Sequence, residues 1–147
     1  MAANKSILLL FTVLALLSTA CLGEQAVSPS DSLVPQVTNA PVAKEINASE
    51  FMDMYPRGGF VLIDVRTQKE YNSGYIPGAV NIPDTELLQR ISELNVSKND
   101  MIVVYCEAGV RSKKGAGELL NAGYTNVVDI TDGMRGWRVI GGDIIRP

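Results

Sequence analysis

Three apolar runs rich in β-branched residues recur along the chain and set its architecture. They are Phe60–Asp64, Met101–Tyr105 and Val127–Ile130, and each has the pattern of a strand buried on both faces. The segments between them have the apolar spacing of helices. Strands that alternate with helices predict a three-layer α/β domain, in which helices flank both faces of a mainly parallel sheet.

Shorter segments complete this prediction. Two further strands are predicted at residues 42–46 and 80–82, and a short helix at residues 67–72. A final helix is predicted around Trp137, whose side chain should pack in the core. Asn47 or Ser49 is placed to cap a first helix, and Asp84 to cap another. On the helix after Asp84, the apolar side chains are expected to form one core face: Leu87, Leu88, Ile91 and Leu94.

The reactive chemistry is concentrated where the run Met101–Tyr105 ends. Cys106 follows directly, at the carboxyl end of a central strand, where open α/β sheets place their ligands. The next loop turns through Gly109, and a helix is predicted to begin at about Arg111 or Ser112. Backbone N–H groups of such a loop can converge on one point, in front of the positive end of the helix dipole. The sequence therefore predicts an anion-binding loop with a thiol at its floor.

Composition narrows the chemistry of that thiol. The 147 residues include two cysteines and no histidine, and the net charge is −3. The absence of histidine removes the usual base for a cysteine nucleophile and the commonest zinc ligand. Lysine and arginine do not repeat along one face, which argues against a nucleic-acid partner.

The first 41 residues have the pattern of an export signal and a linker. Lys5, an apolar run over residues 7–17 and small residues before Cys21 are typical of a secretory signal over residues 1–20. The end of this signal resembles a bacterial lipoprotein signal, although Ser18 stands where leucine is usual. Lipidation of Cys21, cleavage after Ala20 and an uncleaved anchor all stay open. Residues 21–41 are predicted to be a flexible linker, because they have few large apolar groups to bury.

The signal and the linker predict where the folded domain begins and in which compartment it acts. Residues 42–147 form the expected folded domain. We expect it to be exported, in a periplasmic or other extracytoplasmic compartment. Contact with a membrane is expected only through the signal or a lipid anchor.

Four motifs follow one another in the predicted domain. They cover residues 62–66 with Glu70 and Tyr71, residues 74–83, residues 104–112, and residues 132–134 with Trp137. Together they make the domain resemble the single-domain rhodaneses, a family of sulfurtransferases. The second motif has Tyr75 where the common form of the family has histidine. The resemblance implies a rhodanese-like fold and a reaction that needs no metal or organic cofactor. The oligomeric state stays open, with a monomer as the default expectation.

The resemblance also implies roles for individual residues. Cys106 would be the nucleophile that takes a sulfane sulfur from a small anionic donor such as thiosulfate and passes it to cyanide or a thiol. The loop around the donor would consist of Glu107, Ala108, Gly109, Val110, Arg111 and Ser112. Arg111 and Arg66 could hold the donor by their guanidinium groups. Asp64 would have a supporting role, and an ion pair or turn cap formed by Asp64 and Arg66 is an equally good interpretation of this pair. The Glu107 carboxylate could disfavour anionic donors or simply face solvent.

Three other interpretations of the cysteine loop remain. Cysteine phosphatases share the combination of cysteine, converging N–H groups and arginine, but their arginine stands six positions after the cysteine, whereas Arg111 stands five positions after Cys106. Rhodanese-like domains also occur as binding or regulatory modules, usually without the cysteine. A cysteine at a strand end can, finally, be no more than a small buried apolar residue.

Overall fold

The computed structural model describes residues 41–147. The predicted signal, Cys21 and the linker up to residue 40 lie outside the described residues. None of the helices within residues 41–147 is long and apolar enough to cross a membrane.

One parallel sheet of five strands forms the centre of the described domain. The strands are β1 (Lys44–Ile46), β2 (Phe60–Asp64), β3 (Val80–Asn81), β4 (Met101–Tyr105) and β5 (Val127–Ile130). Their order is β1-β5-β4-β2-β3, and every neighbouring pair is parallel. The three longest strands have the predicted bounds, because an apolar β-branched run covered on both faces can only be a central strand. β4, which leads into Cys106, lies in the middle of the sheet.

Helices cover both faces of this sheet. They are α1 (Ala48–Met54), α2 (Gln68–Asn72), α3 (Leu87–Arg90), α4 (Val110–Asn121) and α5 (Gly133–Val139), and 3-10 turns follow α1 at Tyr55–Arg57 and α3 at Ile91–Leu94. One core contains Leu87 of α3 and Leu119 of α4, and the other contains Phe51 of α1 and Trp137 of α5. Neighbouring residues of one strand point into opposite cores. The three-layer α/β prediction is therefore confirmed.

The first predicted helix cap is confirmed. The side-chain oxygen of Asn47 accepts a hydrogen bond of 2.9 Å from the N–H of Glu50, and the Glu50 carboxylate accepts one of 2.8 Å from the N–H of Asn47. This reciprocal pair satisfies N–H groups that have no partner inside the helix. Trp137 is 1% exposed, as predicted, and its indole N–H donates to the carbonyl of Asp143.

The prediction for the helix after Asp84 is wrong in two respects. α3 begins only at Leu87, with Glu86 before it, so Asp84 does not cap it. The N–H of Asp84 instead donates to the carbonyl of Val65. Leu88 is 47% exposed, while Leu87 and Ile91 are buried. Successive helical residues are turned by about 100°, so Leu88 points away from the face formed by residues 87 and 91.

Candidate active site

Cys106 lies at the floor of a loop that joins β4 to α4. Its side chain is almost completely buried, with 2% of the residue exposed, and its thiol is free. The N–H of Gly109 donates to Sγ at 3.2 Å, and the hydroxyl oxygen of Ser112 lies 3.6 Å from Sγ. α4 begins at Val110, one residue before the predicted start, so its first turn is part of the loop.

Hydrogen-bond donors of the loop change the pKa of the Cys106 thiol. Burial by itself raises the pKa of Cys106, because it disfavours the charged form. The backbone N–H and hydroxyl of Ser112, with the N–H groups of Ala108 and Arg111, outweigh burial and bring the pKa below its ordinary value. A thiolate is the reactive form of cysteine. The loop therefore favours that form without an imidazole.

Close backbone contacts fix the shape of the loop. Gly109 has φ +88°, and a Cβ at this position would overlap the carbonyl oxygen of Thr131. On the other side, the N–H of Met134 donates to the carbonyl of Cys106 at 2.8 Å. Gly133 permits this approach, because a Cβ there would overlap the same carbonyl. The turn between β5 and α5 thus supports the loop.

Arg111 lies in the first turn of α4, and its side chain is partly exposed. Its guanidinium donates to both carboxylate oxygens of Glu70, at 2.8 and 2.6 Å. Hydrogen bonds from Arg111 lower the pKa of Glu70 to about 2. In return, hydrogen bonds to Glu70 raise the pKa of Arg111, and the negative charge of Cys106 adds to the rise. The ion pair fixes the direction of the arginine. This role of Glu70 was not predicted from the sequence, although its position three residues after Thr67 is a capping-box signal.

Arg66 has a different environment. It is 1% exposed, and its guanidinium donates to both oxygens of the buried Asp64 carboxylate, to the carbonyl of Gly74 at 2.8 Å and to Glu107 at 3.4 Å. Its partners thus surround the guanidinium inside the protein. This placement favours the ion-pair interpretation of Asp64 and Arg66 over direct binding of the donor.

Glu107 follows the cysteine but is not simply solvated. Its half-exposed carboxylate accepts hydrogen bonds from Arg138 of α5 and from Arg66. Two guanidinium groups therefore offset its negative charge beside the thiol. Arg138 could not be predicted from the sequence, because nothing in the spacing of residues 107 and 138 shows that α5 returns to the loop.

Of the remaining loop residues, Ala108 contributes its backbone N–H and Ser112 both its N–H and its hydroxyl. Ala108 is half-buried, and Val110 is 80% exposed, with its side chain at the outer surface of the loop. The hydroxyl of Ser112 also donates to the carbonyl of Gly109 at 3.2 Å. The structure therefore brings donors of Ala108, Gly109, Arg111 and Ser112 to the Cys106 sulfur. The side chains of Glu107 and Val110 do not contact it, and Asp64 and Arg66 form a buried ion pair.

Comparisons with known proteins identify the family of this domain. The family model for the rhodanese-like domain matches residues 47–139. Thiosulfate sulfurtransferase 16 from Arabidopsis thaliana is 30% identical over 118 residues, covering 73% of this chain and 90% of that protein. The putative sulfur carrier protein YrkF from Bacillus subtilis is 30% identical over 115 residues, covering 78% of this chain. This chain spans only 57% of the Bacillus protein.

A solved structure gives the same result for the fold. The crystal structure of thiosulfate sulfurtransferase from Pseudomonas aeruginosa has a TM-score of 0.64 and 31% sequence identity, over 71% of this chain and 20% of that one. The similarity in sequence and the similarity in structure thus extend over most of the described domain.

Proposed function

This chain belongs to the rhodanese-like family, and on that premise we propose that it is a sulfurtransferase acting through a persulfide on Cys106. The donor is thiosulfate or a similar small anion with a sulfane sulfur, and the acceptor is cyanide or a thiol. The observation that carries the proposal is the buried Cys106 sulfur, with the N–H of Gly109 directed at it from 3.2 Å.

The reaction has two steps. The Cys106 thiolate attacks the outer sulfur of thiosulfate, a new S–S bond forms, and the bond to the sulfonate sulfur breaks, so that sulfite leaves with the electron pair. Cyanide then attacks the outer persulfide sulfur, thiocyanate leaves, and the thiolate is restored. The same N–H groups stabilise the anionic sulfur before and after transfer, as donors of an oxyanion hole do. No step requires a proton acceptor at the cysteine once the thiolate has formed.

Arg111 is the residue that we assign to the donor. It is partly exposed at the mouth of the loop, and Glu70 holds its guanidinium by two of the N–H groups. A guanidinium has five N–H donors, so others remain for the oxygens of the donor. Arg66 supports the end of β2 through Asp64 and takes no part in donor binding in this proposal.

The length of the loop favours this function over a phosphatase. Arg111 is five residues after Cys106, and the sixth residue is Ser112, whose buried hydroxyl is directed at the sulfur. The loop is one residue shorter than the phosphatase pattern and closes around one atom. The presence of the cysteine and its lowered pKa also count against a purely regulatory module.

Thiocyanate formation from thiosulfate and cyanide tests the proposal. The full-length protein, purified in a mild detergent, should be active and should gain one sulfur atom in its intact mass after exposure to thiosulfate. Cys106→Ser should show neither property while keeping the thermal melting curve of the wild type. If the wild type takes up no sulfur from thiosulfate or from polysulfide, the domain is not a sulfurtransferase, and a binding module is the better description.

The wider setting is also a proposal. The signal pattern of residues 1–20 supports a site of action outside the cytoplasm, with the signal itself or a lipid on Cys21 as the contact with the membrane. We propose a monomer that meets only small sulfur donors and acceptors.

A further inference from the structure

A buried acid between the sheet and α4 has no place in the reaction described above. Asp129 lies in β5 and is 1% exposed. Neither of its carboxylate oxygens has a hydrogen-bond partner among the described residues. A buried polar group without a partner destabilises a protein, and more so when it is charged. Such a group calls for a specific explanation.

The position of Asp129 in the sheet turns its side chain towards α4. Side chains of a strand alternate between the two faces of the sheet, so Asp129 shares the face of Val127, which packs in one core with Leu119 of α4. Glu45 of β1 is the register partner of Asp129 and lies on the same face. Neighbouring strands are about 4.8 Å apart, so the two acidic side chains start side by side.

Only one of these two carboxylates has a cation as its partner within residues 41–147. The ammonium of Lys113, in α4, lies 2.8 Å from the Glu45 carboxylate, whereas the Asp129 oxygens have no donor. Burial and the neighbouring Glu45 carboxylate raise the pKa of Asp129. A second cation beside Asp129 would favour its charged form. The pair of acids therefore lacks one positive charge.

A cavity of about 170 Å³ provides the space for such a cation. Asp129, Glu45 and Lys113 border it, and its other walls are mainly apolar, with Ala43 on one side and Leu120 of α4 on the other. The side chains of Lys113 and Glu45 are 72% and 44% exposed, so they can move aside and admit a ligand to Asp129. Because one water occupies about 30 Å³, the cavity has room for roughly five or six groups of that size.

We propose that this cavity binds a primary alkylammonium group, with the ammonium on Asp129 and the alkyl chain against the apolar walls. An ammonium has three N–H donors and no acceptor, which suits two adjacent carboxylates. The apolar walls suit the methylene groups, whose burial is favourable. A metal ion suits the site less well, because the described part of the chain has no group of three or more acidic, cysteine or histidine side chains that could hold one. This site is separate from the sulfur transfer proposed above and does not depend on it.

The probe for this site is n-butylammonium chloride, an amine short enough for the cavity. It is titrated into the full-length protein, labelled with ¹⁵N and held in a mild detergent at neutral pH, and sodium chloride keeps the ionic strength constant. Amide chemical shifts in NMR spectra report where the amine binds and with what dissociation constant. n-Butanol has the same alkyl chain without the charge, and it is the matched control ligand.

Two variants test the role of the buried acid. Asp129→Asn keeps the shape of the side chain and removes its charge. Asp53→Asn removes an exposed carboxylate from α1 and is the matched control for net charge. The dispersion of the amide signals shows whether each variant is folded.

We expect saturable shifts of the amides that border the cavity, at residues 43, 45, 113, 117 and 129. Asp129→Asn should weaken binding of the amine about tenfold or more, because a hydrogen bond to a charged group is lost, and Asp53→Asn should leave it unchanged. In the wild type, n-butanol should bind more weakly than the amine by a similar factor. Affinity should rise about fourfold for each methylene from ethylammonium to n-butylammonium.

The proposal fails if the amine gives no saturable shifts at these residues, because the cavity then holds only water. It also fails if n-butanol binds as tightly as the amine, if affinity does not depend on chain length, or if folded Asp129→Asn keeps the affinity of the wild type. The comparisons among ligands use the wild type alone, so they decide the matter even where Asp129→Asn does not fold. None of these measurements needs sulfur transfer, so this inference and the proposed function can fail separately.

Discussion

Replacement of Gly109 by alanine should damage both the stability of the domain and the reactivity of Cys106. Gly109 has φ +88°, and its N–H donates to the Cys106 sulfur. A side chain at this position meets two separate obstacles. The backbone angle is unfavourable for any residue with a Cβ, and the Cβ itself would overlap the carbonyl oxygen of Thr131.

The cost can be worked from these two obstacles. A left-handed backbone angle costs a residue with a Cβ about 1–2 kcal/mol. Relief of the overlap requires the loop to move away from Thr131, and insertion of a carbon atom into a closely packed site typically costs about 1–3 kcal/mol. The free energy of unfolding should therefore fall by about 2–5 kcal/mol. The same movement takes the Gly109 N–H away from the sulfur, so the pKa of Cys106 should rise and its alkylation at neutral pH should slow.

Gly117→Ala, in the helix that follows Gly109, is the matched control. Gly117 lies inside α4, and a Cβ added to it has no heavy atom within 4 Å. Alanine is favoured over glycine inside a helix by about 1 kcal/mol. One added methyl group should therefore raise the free energy of unfolding at residue 117 and lower it at residue 109, and only the change at residue 109 should alter the thiol.

Urea denaturation of the purified protein, followed by circular dichroism, measures the first effect, and iodoacetamide alkylation measures the second. The analysis requires an unchanged m value, so that a shift of the midpoint reports stability. Equal midpoints for Gly109→Ala and the wild type would refute the argument that the close contact with Thr131 fixes the loop. A destabilised Gly109→Ala protein with normal alkylation would refute the role given to the Gly109 N–H.

Two further predictions concern the ion pairs at the mouth of the site. Because Arg111 lowers the pKa of Glu70 from 4.5 to about 2 in the folded protein, ionised Glu70 stabilises the fold above pH 4.5, and this contribution is lost as the pH falls towards 2. Glu70→Gln should flatten that part of the curve of melting temperature against pH; an unchanged slope would contradict the ion pair. Arg138→Gln removes a partner of Glu107, and the less compensated carboxylate should repel the anionic donor. In steady-state kinetics, the variant should therefore raise KM for thiosulfate more than it lowers kcat, and adding Glu107→Gln to the same chain should return KM to the wild-type value. A KM that stays high in the double variant would argue that Glu107 does not repel the donor.

The parts of the fold that could be predicted are those in which one physical requirement dominates. Phe60–Asp64, Met101–Tyr105 and Val127–Ile130 had to be central strands, because their apolar side chains need cover on both faces. The loop after Cys106 could be predicted for a related reason. A glycine followed by a helix start, at the carboxyl end of a central strand, leaves few other arrangements.

Other features depend on contacts between distant parts of the chain. The sequence around Leu87 and Leu88 did not indicate that α3 would be short or that Leu88 would be exposed to solvent. Asp64 and Arg66 at a strand end fitted an ion pair and an anion site equally well, and only the burial of Arg66 separates these interpretations. Asp129 stands among apolar residues, and that irregularity was its only signal. Its burial depends on the order of the sheet, in which β5 lies between β1 and β4.

The chain has no histidine, and most of the contacts to the Cys106 sulfur are made by the backbone. A base beside the thiol would activate it through one side chain, which tolerates some movement of the loop. Here the charge on sulfur depends on N–H groups, whose positions are set by the turn at Gly109 and by the hydrogen bond from Met134 to the Cys106 carbonyl. We therefore expect reactivity to be more sensitive to glycine and backbone changes in this loop than to truncation of the exposed Val110 side chain. Ser112, whose buried hydroxyl lies 3.6 Å from the sulfur, is then the place where side-chain chemistry can still adjust the nucleophile.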